Sequence, residues 1–378
     1  MDYLEKLKDL NKKINAIWLK GVAFFLLIIF LFALGKNLKL FPERPPLQEQ
    51  LKPILEADFS IDQTQYKNCN LSSSNENVDT SPLKTNDQLG KIDLIEDTDK
   101  ITDKKNLIPP VYNPKFITLD EAKDCIKPNE IIYALTIEDQ THIYTYSVLA
   151  KHQIIHDMFQ ITNKENETIS KEVIVTYSPY SDSISAFITS EIFGNSGRLY
   201  KGINLLFDTK TESLWLQING EAIIGNRTGE RIEHLPIRTL TFEEAGIKFP
   251  EGSFLSFDTG YITDYSKDPY KDFHTNDQIV GKITQNISTN LLKEKVIAID
   301  YSGEQKAYLL NSSLQDEDLI DKINEEEIKI YKNMEFDTYE IAKIDNNGNV
   351  TTILPSVQMY LYSWKEVFPN SKIYSNKL

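Results

Sequence analysis

The most apolar part of the sequence runs from Ala16 to Leu34, where only Lys20 and Gly21 interrupt the large apolar residues. At a rise of about 1.5 Å per residue, a helix of this length spans about 28 Å, close to the hydrocarbon thickness of a bilayer. The pattern therefore predicts a transmembrane helix over residues 16–35, with the lipid bilayer as the partner of residues 16–34.

Basic residues flank this segment unequally. Five basic residues lie before its apolar core, at Lys6, Lys8, Lys12, Lys13 and Lys20. Three follow it, at Lys36, Lys39 and Arg44. The positive-inside rule then predicts a single-pass protein, with residues 1–15 in the cytoplasm and the C-terminal part extracytoplasmic. The alternative is a cleaved signal peptide ending near Ala33-Leu34-Gly35, which exports the same domain.

The pattern changes twice after the apolar segment. Residues 36–110 are mostly polar and contain few large apolar groups, so they bury too little surface to offset the entropy of folding. We interpret them as a flexible polar linker. Apolar runs of strand length recur from Val111 onward, which predicts one folded domain over residues 111–378.

Within this domain, short alternating or apolar runs bounded by turn residues indicate strands. The runs include residues 131–136, 173–177, 183–189, 203–207 and 214–218. Thr118 and Glu121 form a capping-box pattern that predicts a short helix. Residues 148–158 show helical spacing and predict another. The fold class is therefore mainly β (α+β), a mixed or antiparallel β domain with short helices.

Two turn signals and one repeated pattern add detail. Asn219-Gly220 and Asn347-Gly348 each predict a tight hairpin, because both central positions of such turns require positive φ. Residues 131–144 and 296–308 both resemble a strand, a turn and a second strand that ends on Tyr. This similarity predicts two alike hairpins, and a duplication would explain it.

Charge and cysteine content exclude some functions. Against 41 basic residues the chain has 56 acidic ones, a net charge of −15, so we expect no nucleic-acid binding. The two cysteines, Cys69 and Cys125, are too few for a disulfide framework. We expect two unrelated thiols, although a Cys69–Cys125 bond remains open.

Four groups of polar residues are candidates for chemistry. His152 and His156 would share one helical face and could ligate a metal, but Gln153 replaces the Glu of the zincin pattern. The loop 176–183 is rich in serine. Asp258-Thr259-Gly260 matches one aspartic-protease triplet, but that chemistry needs a second copy. The acidic run 264–272 could bind a cation. A solvated turn or a satisfied polar residue is the alternative in each case.

The order of several motifs resembles the prokaryotic family catalogued as domain of unknown function 3179. The matching segments are residues 150–157, 175–179, 193–200, 207–217, 220–225, 258–260, 264–265 and 268–270, with Trp364 and Pro369 near the end. The family has no agreed activity, so the resemblance does not identify a cofactor, and the cofactor is unknown. The resemblance does imply a loop cysteine, sometimes selenocysteine, where this chain has Ser178.

Ser181 stands where some family members carry a second cysteine, and His156 stands where the family usually has Asn. The resemblance therefore predicts that thiol chemistry is lost here. The candidate pocket comprises His152, Asp157, Tyr177, Ser178, Ser181, Asp258, Asp268 and Tyr270.

Two functions remain open. One is a non-catalytic binding or structural module, with a small molecule or another envelope protein as partner. The alternative is a metal- or hydroxyl-dependent enzyme that uses His152, Asp157 and Ser178.

Overall fold

The computed structural model describes residues 105–162, 167–310, 318–333 and 338–374. These residues form a mainly β structure in which five sheets take up a propeller-like arrangement, with short helices between strands. The predicted transmembrane segment, most of the predicted linker and Cys69 lie outside the described residues. Within them, no helix combines the length and apolar character needed to cross a bilayer.

Short strands dominate the described chain. In chain order they are β1 Phe116–Ile117, β2 Ile131–Ile137, β3 Gln140–Thr145, β4 Ile154–Thr162, β5 Thr168–Ser178, β6 Ser183–Ile188, β7 Phe193–Tyr200, β8 Ile203–Asp208, β9 Leu214–Leu216, β10 Glu221–Ile224, β11 Glu233–Leu235, β12 Arg238–Thr241, β13 Ser253–Leu255, β14 Lys295–Tyr301, β15 Glu304–Leu309, β16 Leu319–Ile323, β17 Glu326–Asn333, β18 Thr338–Ile344, β19 Val350–Leu354, β20 Val357–Tyr360 and β21 Lys372–Tyr374. The helices are α1 Leu119–Lys123, α2 Tyr146–His152, α3 Phe242–Lys248, α4 Lys271–Thr275 and α5 Leu361–Val367.

The strands pair into sheets that we number I to V. Sheet I has the order β1-β13-β3-β2-β12, sheet II β11-β6-β5-β4, sheet III β10-β9-β8-β7, sheet IV β20-β14-β15-β21 and sheet V β16-β17-β18-β19. Sheets III and V are simple antiparallel meanders. Parallel pairs occur between β13 and β3 and between β15 and β21, so the mixed character expected from the sequence is present.

Apolar side chains join the sheets in succession. One core cluster lies between sheets I and II, a second between II and III, a third between III and IV, and a fourth between IV and V. Trp215 in the second and Trp364 in the third are almost fully buried. Sheets V and I meet through the ion pair of Arg238 and Glu340, at 2.6 Å. Where apolar clusters cover both faces of a sheet, as in sheet III, strands such as β8 and β9 are buried along their whole length and do not alternate.

Helix boundaries follow local capping chemistry. Thr118 and Glu121 form the predicted capping box of α1, and Thr241 and Glu244 form another at α3. Helix α2 is capped by Thr145 before its first residue and by Gln153 after its last, and Gln153 is left-handed with φ of 61°.

The predicted helix over residues 148–158 is therefore wrong beyond His152. Residues 154–162 form β4, and the buried and exposed positions alternate along its second half. The apolar residues of this segment fit both periods in sequence, and the left-handed Gln153 decides where the helix stops. His152 and His156 consequently do not share a helical face.

The Asn219-Gly220 hairpin is also wider than predicted. Glu221 pairs with Leu216, so the four residues 217–220 form the loop, and only Gly220 of the Asn-Gly pair has positive φ. A Cβ at this glycine would lie 2.6 Å from Ile232, so close packing as well as φ requires glycine here. At the second site, β18 and β19 are joined by residues 345–349, with Gly348 at φ of 81°.

The two predicted Tyr-ending hairpins are present, and the final tyrosine of each makes the same kind of hydrogen bond. β2 pairs with β3, and β14 with β15, each through a two-residue turn. The Tyr144 hydroxyl donates to Asp157 in the first, and the Tyr308 hydroxyl donates to Asp321 in the second. Each tyrosine precedes its aspartate by 13 residues, which extends the internal similarity beyond the hairpins themselves.

The predicted end of the linker and the predicted state of the cysteines both differ from the structure. Asn106, near the predicted end of the linker, hydrogen-bonds Asn195 of β7 through both its backbone and its side chain. Cys125 is disulfide-bonded, which contradicts the expectation of two unrelated thiols.

Asp208 offers a test of the buried polar contacts. Burial opposes ionisation of Asp208, but hydrogen bonds from Trp215 and Thr211 outweigh it and lower the pKa of this carboxyl. We expect Asp208→Ala to lower the free energy of unfolding by about 2–3 kcal/mol, because these donors lose their acceptor inside the fold. Urea denaturation of the full chain in mild detergent measures the change.

Lys210→Ala, in the same turn, is the matched control. Its side chain is 66% exposed, so we expect a change within about 0.5 kcal/mol. Equal effects of the two substitutions would contradict a structural role for the Asp208 carboxylate.

Candidate functional site

A cavity of about 340 Å³ lies where parts of sheets I, II and IV converge. Its walls include β2, the first turn of α2, β6, β12, the start of β14, and β20. The lining residues are Ile131, Tyr133, Tyr146, Asp182, Ile184, Thr239, Asp268, His274, Lys295 and Gln358. The cavity combines aromatic rings, hydroxyls and charged groups, the composition expected of a small-molecule site.

Asp182 and Lys295 form an ion pair on one wall. The Lys295 ammonium donates to the Asp182 carboxylate and, at 2.9 Å, to the Asp182 backbone carbonyl. The Tyr177 hydroxyl donates to the same carboxylate at 2.7 Å. Burial raises the pKa of Asp182, but the charge of Lys295 and the hydrogen bonds from Lys295 and Tyr177 outweigh it, so the net pKa is lowered and the carboxylate stays ionised.

His274 projects from α4 beside this pair. Its Nδ1 lies 2.9 Å from the Tyr360 hydroxyl, and its Nε2 lies 3.5 Å from the Tyr177 hydroxyl. Burial lowers the pKa of His274, more than the attraction of Asp182 raises it. The imidazole is therefore neutral at pH 7.

Asp268 forms the opposite part of the lining. One of its carboxylate oxygens accepts hydrogen bonds from the Tyr146 hydroxyl at 2.9 Å and from the Tyr270 backbone N–H at 2.8 Å. These two donors fix the orientation of the carboxylate. Burial and the proximity of Asp268 raise the pKa of Tyr146, so this phenol remains protonated and donates to the carboxylate.

Ser178 and Ser181 lie behind the cavity wall and are fully buried. The Ser178 hydroxyl accepts from the backbone N–H of Asn204 at 3.0 Å and from Ser181 at 2.8 Å. Ser181 is 2.8 Å from Ser183, which donates to Gln217. Among the described residues, no histidine lies within hydrogen-bond distance of Ser178, so these serines form a structural hydroxyl network.

Gln153 joins this network to the cavity floor. Its side-chain amide donates to the Tyr270 hydroxyl at 2.8 Å, and its carbonyl oxygen accepts from Asn204 at 2.8 Å. Tyr270, a predicted site residue, therefore supports the cavity while its backbone holds Asp268. Tyr177 likewise belongs to the site, since its hydroxyl orients Asp182.

His152 occupies a separate buried position. Its Nδ1 is 2.8 Å from the Pro109 carbonyl and its Nε2 is 2.7 Å from the Tyr265 hydroxyl. The Tyr265 hydroxyl is also 2.5 Å from Thr259 of the Asp-Thr-Gly triplet. Both ring nitrogens thus have protein partners.

Asp157 and Asp258 are also engaged away from the cavity. Asp157 accepts from the Tyr144 hydroxyl at 2.6 Å and lies 2.7 Å from His142. Asp258 pairs with Lys115 at 2.5 Å. Of the predicted pocket residues, only Asp268 lines the cavity. Tyr177 and Tyr270 support the lining through hydrogen bonds to Asp182 and Asp268, and the Ser178–Ser181 network connects to Tyr270 through Asn204 and Gln153. His152, Asp157 and Asp258 belong to other hydrogen-bond networks.

The proposed metal pair also separates. The His156 Nε2 lies 2.8 Å from the Phe193 carbonyl, and His152 is bonded as described above. In the part of the chain that the structure describes, no group of three His, Cys, Asp or Glu side chains converges as metal ligands would.

Sequence reasoning missed four of the most distinctive cavity residues: Tyr133, Asp182, His274 and Lys295. Asp182 lies within the serine-rich loop that the sequence singled out, but nothing local distinguished it from the serines. His274 and Lys295 are remote from that loop in sequence, and only the pairing of sheets brings them together.

Three buried histidines predict a pH dependence of stability. Burial lowers the pKa of His152, His156 and His234 to about 4. Unfolded histidine has a pKa of about 6.5, so the unfolded chain binds more protons below that pH. Stability is therefore fully present above about pH 6.5 and falls as pH drops toward 4, by up to about 1.4 kcal/mol per pH unit for each histidine.

His156→Gln isolates one of these contributions. The variant keeps an N–H donor for the Phe193 carbonyl, and we expect the slope of unfolding free energy between pH 4.5 and 6.5 to become shallower by about 1.4 kcal/mol per unit at most. Urea titrations across that range measure it. If the slope of His156→Gln equals that of wild type, or if the two slopes still differ above pH 7, the lowered pKa of His156 is not the cause of the pH dependence.

Comparison with known proteins gives one match. No curated protein matches the chain, and no solved structure does. A family model described as "Protein of unknown function (DUF3179)" matches residues 105–374, which include nearly all of the described structure. The match covers well over half of the 378 residues, so the chain is a member of this family of unknown function.

Proposed function

We propose that this protein is a membrane-anchored, extracytoplasmic binding module, and that the cavity between sheets I, II and IV holds a small-molecule ligand. One observation carries this proposal. The polar groups of His152, Asp157 and Ser178 are committed to internal hydrogen bonds, whereas the cavity presents charged and hydroxyl groups to open space. Such a site suits recognition more than bond cleavage.

The position of Ser178 supports the non-catalytic reading. A serine nucleophile needs a base within hydrogen-bond reach and access to substrate. Ser178 is fully buried and its hydroxyl is occupied by Asn204 and Ser181. A hydroxyl also lacks the acidity of the loop thiol that the resemblance implies for relatives.

The alternative is an enzyme that uses His152, Asp157 and Ser178. Those three side chains belong to three separate networks, around Tyr265, His142 and Ser181 respectively. A shared substrate would have to contact all three networks at once. The geometry therefore favours the cavity over this group.

The location rests on sequence. The apolar segment 16–34 and its basic flanks support a single anchor with the domain outside.

A cavity-blocking substitution tests the binding role. Ile131 lines the cavity and is 40% exposed, so Ile131→Trp places an indole at its edge. We expect ligand-observed NMR with a collection of small polar molecules to detect binders of the wild-type chain in nanodiscs. Ile131→Trp should abolish most of these signals.

Ile247→Trp makes the same change on α3, at a residue that is 70% exposed and outside the cavity lining. This control should bind like wild type, and circular dichroism should show that both variants are folded. A complete lack of binders, or equal binding by Ile131→Trp, would overturn the proposal.

Terminal tags test the topology. A C-terminal epitope should react with antibody on intact cells, or on spheroplasts where an outer membrane is present, because the domain is expected outside. An N-terminal epitope on the same chain should react only after permeabilisation. The reverse pattern, or detection of both tags only after permeabilisation, would refute export.

A further inference from the structure

We propose that the ligand of the cavity carries a primary ammonium group, bound by the Asp268 carboxylate and the Tyr133 hydroxyl. This inference rests on the proposed binding function and specifies the chemistry of the ligand. It follows from the pairing of charges in the cavity and from two polar groups that the fold orients but leaves open.

The charges that face the cavity do not cancel completely. Lys295 is paired with Asp182, so these two groups neutralise each other. His274 is neutral at pH 7 for the reasons given above. Among the described residues that line the cavity, Asp268 is then the charged side chain without an ion pair. The lining carries a net charge of about −1, which a cationic ligand would neutralise.

Neighbouring lysines do not reverse this balance. Lys293 lies near His274, but its ammonium donates to the backbone carbonyls of Phe273 and Asn276 and lies 3.7 Å from the Phe273 ring centroid. Lys151 is close enough to attract Asp268, yet the two form no ion pair. Asp264, which also attracts Lys151, is paired with Lys267.

The Asp268 carboxylate is held in place by one of its two oxygens. Its Oδ1 accepts both the Tyr146 hydroxyl and the Tyr270 N–H, which hold the carboxylate in one orientation. Its Oδ2 accepts no hydrogen bond from any described residue. Asp268 is exposed, so its second oxygen is solvent-accessible where the residue lines the cavity. A carboxylate already held by one oxygen loses little conformational freedom on binding.

Tyr133 offers a second polar group to a ligand. This residue is 4% exposed and lines the cavity, and its hydroxyl makes no hydrogen bond to any described residue. The hydroxyl oxygen is not sealed from solvent, so it is open to the cavity and available to a ligand donor or acceptor. Burial and the nearby carboxylates of Asp182 and Asp268 raise the pKa of Tyr133, so it remains a neutral phenol that can accept from an N–H.

Aromatic rings complete the case for a cation. Tyr133, Tyr146 and Tyr177 form adjacent rings, with centroids 6.1 Å apart for Tyr133 and Tyr177 and 5.5 Å for Tyr146 and Tyr177. Ring faces attract ammonium groups electrostatically, and the attraction grows when the group is removed from water. An anionic ligand would instead meet Asp268 and would have to displace Asp182 from Lys295.

Matched amines and alcohols test the inference by calorimetry on the full chain in phosphatidylcholine nanodiscs, whose lipids carry no net charge. The pairs are putrescine and 1,4-butanediol, ethanolamine and ethylene glycol, and tyramine and 4-(2-hydroxyethyl)phenol. We expect at least one amine to bind with one-to-one stoichiometry and at least tenfold more tightly than its alcohol.

Asp268→Asn should weaken that amine at least tenfold, because Asn keeps an acceptor for Tyr146 but loses the charge. Asp139→Asn, at the exposed tip of the β2–β3 hairpin, changes the net charge equally and should stay within twofold of wild type. Tyr133→Phe should weaken binding several-fold. Equal loss in Asp139→Asn would indicate only general attraction to an acidic protein and would overturn the inference.

Two other outcomes would also overturn it, and they separate it from the proposed function. If alcohols bind as well as their amines, or if no amine of the panel binds while other small molecules bind in an Ile131-dependent way, the module stands and its ligand is not an ammonium compound. If no small molecule binds at all, both proposals fail together.

Discussion

Polar groups enclosed between sheets must find partners inside the protein, and this constraint organises the whole domain. Each successive pair of sheets closes over an apolar cluster, so water does not reach the polar residues at their boundaries. Ser178, Asn204 and Gln217 all have hydrogen-bond partners inside the protein. An unpartnered buried hydroxyl or amide would cost about 1–3 kcal/mol. Tyr133 and Asp268 line the cavity, where access from solvent relaxes this constraint.

Local physics made part of this fold predictable. Strand-length apolar runs and the Thr118–Glu121 capping box depend on neighbouring residues, and the structure has them where the sequence indicated. The stretch after His152 could not be assigned, because its apolar spacing suits helix and strand, and the left-handed Gln153 depends on tertiary contacts. The site was less predictable still: Asp182, His274 and Lys295 meet only through the pairing of distant strands.

The two similar hairpins both contribute to the cavity, with different side chains. The contacts Tyr144–Asp157 and Tyr308–Asp321 are alike, but the third partner is His142 in one and Lys306 in the other. The strands of the two hairpins therefore carry different charges. Tyr133 of the first hairpin and Lys295 of the second line the cavity, where Lys295 pairs with Asp182 and Asp268 has no ion pair.

The overall charge of −15 alone cannot give the protein selectivity for a cation. Exposed carboxylates are screened within about 8 Å at physiological ionic strength, and they attract every small cation equally. Selectivity requires a carboxylate whose geometry is fixed and whose neighbours lose water when the ligand enters. Asp268 is exposed, but Tyr146 and Tyr270 fix the orientation of its carboxylate, and the rings of Tyr133 and Tyr146 line the cavity beside it, where a bound ligand loses water. The acidic surface raises the concentration of cations near the domain, and the shape and polar groups of the cavity determine which of them bind.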